Sequence, residues 1–141
     1  GLSEILSGPD GVTAVTGPDG TVASLRRGPD PRFGMQAPIV AAASLTLPSG
    51  LARVTTVART ATLADPADPL SLSAASETLR VNGRTFTRTF EAATRELHLT
   101  TPTGRQASLV FDAQGRVVQR RSGTLAPVSV AYTPSGRPAA S

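Results

Sequence analysis

The sequence predicts an all-β protein, an antiparallel meander of successive β-hairpins forming a curved strip with little or no helix, and three observations carry that expectation. An aromatic residue returns every 21 positions, at Phe90, Phe111 and Tyr132, and an arginine follows each one five places later, at Arg95, Arg116 and Arg137. Turn signals interrupt the chain about every 8 to 12 residues, the spacing of all-β folds. Between the turns apolar residues recur with a period of two, as in Ala107, Leu109, Phe111 and in Val128, Val130, Tyr132, which places them on one face of a strand. Phe86 and Phe90 follow the same alternation, broken by Arg88.

The 141 residues suit one domain, and equally a fragment of a longer repeat array. Apolar content of 39% against 17% charged residues favours a folded chain, but with 4% aromatics and no Trp its packing must lean on Val, Leu, Ala and Thr. All 14 basic residues are arginine. They are scattered, adjacent only at Arg26-Arg27 and Arg120-Arg121, and interspersed with acids, so a solvated strand face explains them better than a nucleic-acid surface. Cysteine is absent, which excludes disulfides and thiolate metal sites. No apolar run is long enough for a membrane span, and GLSEILSG lacks the regions of a signal peptide.

In order along the chain, GPDG at 8–11, GPDG at 17–20 and GPDP at 28–31 read as turns, because Pro presets φ, Asp bonds the local backbone and Gly accepts a left-handed exit. Val12 to Val15 and Thr21 to Leu25 lie between them as short strands. Arg32 to Pro38 shows no period and reads as a loop. Ile39 to Leu47 and Leu51 to Leu63 form a hairpin about Pro48-Ser49-Gly50, in preference to a helix through Ala41 to Ala43. DPADP at 65–69 is a rigid connection and a possible boundary between N-terminal hairpins (1–64) and the repeats (70–141). Leu72 to Val81 enters Asn82-Gly83, the strongest short hairpin signal present. Thr85 to Phe90, Leu97 to Leu99, Gln106 to Phe111, Val117 to Arg121 and Val128 to Tyr132 complete about a dozen strands of typical length.

Candidates for chemistry are few. His98, the one histidine, alternates away from Leu97 and Leu99, onto a solvated face. Without a second His, a Cys or a paired acid beside it, neither a transition-metal site nor a Ser-His-Asp arrangement is supported. A phosphate loop lacks its lysine and helix. Glu91 with Glu96, and Asp65 with Asp68, read as turn residues rather than a carboxylate dyad. Catalytic residues, cofactor and metal are therefore all expected to be absent. The recurring residues read as structural: Phe90, Phe111 and Tyr132 as packing, Gly115 and Gly136 as turn glycines, and Arg95, Arg116 and Arg137 as staples reaching a neighbouring hairpin's carbonyls or an acid such as Glu91 or Asp112. The alternative expectation is a binding module, in which an exposed sheet face or the Phe/Tyr row holds carbohydrate or a protein partner. The edge at Val128 to Tyr132 is expected to support self-association.

FDAQGRVV and YTPSGRPAAS resemble the Tyr-Asp-x-x-Gly-Arg-Leu repeat of the Rhs, or YD-repeat, proteins. The 21-residue period is similar to that family's, the likeness extends over about residues 81 to 137, and GPDGT, RRGPDPRFGMQAP and DPADPLSL upstream are similar to bacterial members. Departures are Phe for Tyr at 90 and 111, Thr133 for Asp and Pro138 for Leu. The resemblance implies a β-strip that in longer relatives winds into a shell around a C-terminal toxin or effector, in a secreted or cell-surface protein. Partners would then be neighbouring repeats or that effector domain. The segment at which relatives release their C-terminal domain has no counterpart here, so autoproteolysis does not carry over. An end inside a repeat, at PAAS, suggests a piece of a longer protein.

Overall fold

A computed structural model of the chain describes residues 4–8 and 11–139. Eleven strands and no helix are present among them: β1 (Glu4–Ser7), β2 (Val12–Thr16), β3 (Val22–Asp30), β4 (Gly34–Thr46), β5 (Ala52–Leu63), β6 (Leu72–Val81), β7 (Arg84–Glu91), β8 (Glu96–Thr100), β9 (Gln106–Phe111), β10 (Val117–Ser122) and β11 (Val128–Ser129). They belong to one sheet whose strand order is the sequence order, an antiparallel meander. β1 and β11 stand at the two ends of that order and are not paired with each other. The first three residues of the third turn signal, GPDP, lie within β3 rather than in a reversal, and the reversal falls at 31–33. The loop expected from Arg32 to Pro38 is correspondingly shorter, because β4 already begins at Gly34. Alternation is lost there because the β3–β4 register shifts twice, between Arg26 and Arg27 and between Gly28 and Asp30, and irregular pairing tolerates the prolines that a regular ladder rejects. At the other end, β11 is shorter than the expected Val128 to Tyr132 strand, and the backbone of Tyr132 forms an isolated bridge with Pro138.

One backbone device makes most of the reversals. In the segments 8–12, 17–21, 47–51, 101–105, 112–116 and 133–137, the first residue donates its N–H to the fifth carbonyl, and the fourth residue donates back to the first. That fourth residue is always a glycine with φ between 74° and 83°. In the five segments from 17–21 onward this is the three-residue hairpin loop, a type I turn followed by a left-handed residue, and glycine takes the left-handed place without a Cβ clash. Asn82 (φ 47°) and Gly83 (φ 79°) form the two-residue alternative.

Two compact units can be distinguished, Gly1–Ala61 with Glu77–Thr85 and Thr62–Ser76 with Phe86–Ser141. The Asp65–Pro69 connection lies inside the second. There Asp65 accepts the Ala67 N–H at 2.9 Å, Asp68 accepts the Leu70 N–H at 2.8 Å, and the Ser71 hydroxyl ties the two turns together. Cross-strand register sorts each unit's residues by face. In the first, Val15, Ala23, Leu45 and Arg53 stand opposite one another in turn, as do Thr13, Leu25, Ala43 and Thr55. In the second, Phe90, Leu97 and Leu109 are successive partners, with Leu99 and Ala107 beside them. None of these apolar side chains is buried. Among the described residues no apolar side chain is, and the one buried polar group is Asp30, 7% exposed.

Candidate functional site

The expected site residues divide into those that converge and those that do not. Phe111 closes β9 opposite Val117, and the chain turns at once through Asp112 to Arg116. One carboxylate oxygen of Asp112 accepts the N–H groups of Gln114 and Arg116, each at 2.9 Å, and the other accepts Arg116 Nε at 2.7 Å. These bonds hold the Asp112 carboxyl below its ordinary value of 3.8, the Arg116 backbone N–H contributing most, while partial burial opposes the shift. With its Nε committed, Arg116 lays its guanidinium carbon 4.6 Å from the centroid of the Tyr132 ring, a cation–π contact. The Tyr132 hydroxyl donates to the Val117 carbonyl at 2.9 Å. Gly136 completes the cluster, since a Cβ there would stand 3.5 Å from Arg116 Nη1. Asp112, Arg116, Tyr132 and Gly136 therefore form a clamp between two successive repeats.

Phe90, Arg95 and Arg137 stand outside it. Phe90 pairs with Leu97 across β7 and β8. Arg95 occupies the left-handed place of its glycine-free turn at φ 51° and takes part through its carbonyl, which accepts the Phe111 N–H at 3.0 Å. Arg137 participates through its backbone, donating to Thr133 Oγ1 at 3.2 Å and accepting the Thr133 N–H at 2.8 Å. Thr133 thus supplies the acceptor that Asp112 supplies one repeat earlier. Thr101 does the same for the Arg105 N–H at 3.1 Å, half a period away from Arg116. A meander reverses at alternate ends, so a 21-residue comparison passes over this copy.

A second polar cluster was not singled out from the sequence. In the first unit, Arg59 on β5 donates through Nε to Glu77 on β6 at 2.8 Å, adds a closer Nη2 contact to the same oxygen, and lies 3.6 Å from Asp30. Asp30 also accepts the N–H groups of Arg32 at 2.8 Å and Phe33 at 3.3 Å. Its carboxyl is lowered, by the Arg32 N–H foremost, against the opposing effect of burial, with the Phe33 N–H and the charges of Arg32 and Arg59 adding to the lowering. The signal for Arg59 was a charge placed in register with Val57, Ala61 and Leu63 on alternating positions of β5, as Arg88 is placed between Phe86 and Phe90. Asn82 was recognised as a turn residue, yet its side chain also works: Oδ1 accepts the Val54 N–H at 2.7 Å and Nδ2 donates to the Ala52 carbonyl at 3.1 Å.

His98 is 58% exposed, opposite Thr89 and Ser108, with Glu96 Oε2 at 3.5 Å. Glu91 and Glu96 are direct cross-strand partners closing a turn. No group of three His, Asp or Glu residues suited to a metal ion occurs among the described residues, and no helix there is long and apolar enough to cross a membrane. The chain matches no protein-family model and no curated protein sequence.

Proposed function

We propose that this chain is a non-enzymatic structural module, a β-repeat strip that packs against further parts of a larger protein. The supporting observation is that each unit gathers apolar residues in cross-strand register, and none of the apolar side chains described is buried. A sheet normally gains its stability by burying such a face against another layer. The resemblance to Rhs and YD repeats supplies the candidates for that layer: neighbouring repeats, or the C-terminal effector that such a shell encloses or presents in a secreted or cell-surface protein. The Arg116–Tyr132 clamp belongs to the same reading, because it joins successive repeats rather than gathering groups around a reacting atom. It also weighs against carbohydrate stacking on the rings, since one face of Tyr132 already carries a guanidinium.

The test is the accessibility of that face. The isolated chain should brighten an apolar-surface dye strongly, and a longer chain carrying the flanking residues of the parent should abolish the signal and melt at a higher temperature. A 141-residue chain that leaves the dye dark and melts like the longer one overturns the proposal.

A further inference from the structure

In the first unit, the sheet face away from Arg59 carries a different arrangement. Arg26 on β3 stands opposite Ala42 on β4, and Ala42 stands opposite Thr56 on β5. Asn82 exchanges hydrogen bonds with Val54, and because neighbouring strands are antiparallel, stepping two residues forward along β5 and two residues back along β6 from that pair sets Arg80 beside Thr56. The two arginines therefore end one cross-strand row, roughly 14 Å apart at three strand spacings. Between them lies an open groove of about 440 Å3 lined by Arg26, Ala41, Thr56, Val57, Ala58, Thr78 and Arg80, within the range of small-ligand sites.

Three features separate this groove from a scatter of surface charge. Between the two arginines it is lined only by Ala41, Thr56, Val57, Ala58 and Thr78, none of them longer than valine. The register shift between Arg26 and Arg27 sits at its wall, and Gly28 is packed there so closely that a Cβ would lie 3.1 Å from that of Ala41; such bulges re-aim the side chains beside them. Last, no acid lines the groove. Arg59 and Arg116 are each neutralised by a carboxylate, whereas Arg26 and Arg80 form no ion pair among the described residues.

We propose that this groove binds an oxyanion, a phosphate or sulfate group carried on a small polar ligand, with Arg26 and Arg80 closing on it from either end and the Thr56 and Thr78 hydroxyls beneath. Guanidinium forks match the oxygens of such groups in bidentate geometry. The absence of any aromatic platform leaves charge, rather than stacking, as the means of recognition.

The experiment is a titration of the whole chain, followed by arginine Nε–H and backbone amide NMR signals, with inorganic pyrophosphate, a sulfated disaccharide and its unsulfated parent. Saturable shifts at Arg26, Thr56, Thr78 and Arg80 are expected with at least one charged probe and not with the neutral sugar. Whichever charged probe saturates identifies the source of the oxyanion. Arg26→Gln and Arg80→Gln should each weaken binding about tenfold, the loss of a charged hydrogen-bonding group. Arg53→Gln on the other face should leave it unchanged and serves as the folding and charge control. Failure of both charged probes to shift these signals at about 10 mM, far weaker than a specific site requires, or equal weakening by Arg53→Gln, overturns the proposal.

Discussion

Arg116 is held by Asp112 in its own turn and spends its free face on Tyr132, the ring of the next repeat. The arginine that recurs after each turn here bridges forward to an aromatic rather than to a carbonyl. The pair should be energetically coupled. In a double-mutant cycle of Arg116→Met and Tyr132→Leu, the coupling is expected at about 0.5–1 kcal/mol, the range of partly exposed cation–π pairs. Tyr132→Phe keeps the ring and loses the bond to Val117, which should cost about 1 kcal/mol. Urea unfolding of the four variants measures both quantities, and a coupling of zero would mean that the contact holds nothing.

The Asp112 and Asp30 carboxyls are both held below their ordinary 3.8, each chiefly by a single backbone N–H, that of Arg116 and of Arg32 respectively. A depressed folded-state value means that the charged form is favoured by folding. The resulting stability is fully present above the unfolded-state value and is lost as pH falls through the folded one. Melting temperature is therefore expected to stay level from about pH 5 upward and to decline below about pH 4. Asp112→Asn should lower the plateau and make the acid decline shallower. Thermal melts over that range check the sign, and a decline on the alkaline side of neutrality would contradict it.

Arg95 occupies a left-handed backbone position at φ 51°, where the corresponding turns at Gly115 and Gly136 carry glycine. An L-residue there is strained by about 1–2 kcal/mol, and glycine relieves this at some cost in unfolded-state entropy. Arg95→Gly is expected to raise stability by about 0.5–1 kcal/mol. The carbonyl that accepts the Phe111 N–H is retained in the variant. Arg95→Val should move stability the other way, and urea midpoints of the two variants against the parent decide the matter.

The turn chemistry was the legible part of this chain. Asn82-Gly83 and the x-Pro-x-Gly tetrapeptides specify their own backbone dihedrals, so the strands Leu72–Val81 and Gln106–Phe111 could be read to the residue. Alternation likewise placed His98 on the face away from the leucines. What escaped was non-local. The β3–β4 irregularity depends on Asp30 capping the backbone of Arg32 and Phe33 while Arg59, some thirty residues on, approaches it, and no local pattern encodes that meeting. The clamp was half visible: the period brought Arg116 and Tyr132 into one list, but which element of the next repeat the arginine would touch depends on the register of β10 beside β11.

Arg59 joins two carboxylates from two other strands, so its removal should be felt more than that of an ordinary surface arginine. Arg59→Met keeps the aliphatic stem and takes the charge away from Asp30, which then relies on backbone N–H groups alone. The expected loss is about 1–2 kcal/mol, reflecting a partly buried, charge-assisted pair. Glu77→Gln, which keeps an acceptor facing Arg59, should cost less. Denaturant titration at neutral pH orders the two variants, and equal effects would show that the guanidinium charge is not the source.

The sheet order has two ends, and they are unequal templates. β11 offers two residues, with Pro127 before it and Pro134 and Pro138 beyond, and proline cannot donate to an added strand. β1 offers four exposed residues, among them Ile5 at 68% and Leu6 at 61% exposure, and Glu4 is its single charge. An edge with a single charge at its end and two exposed apolar residues invites pairing with another chain. Self-association of the isolated chain is accordingly expected through β1 rather than through the C-terminal Val128 to Tyr132 segment that the sequence pattern favours. Sedimentation velocity should show dimers growing with concentration, abolished by Leu6→Lys and spared by Val130→Lys. The reverse pattern would return the contact to the C-terminal edge, and a monomer across about a hundredfold range of concentration would remove it from both.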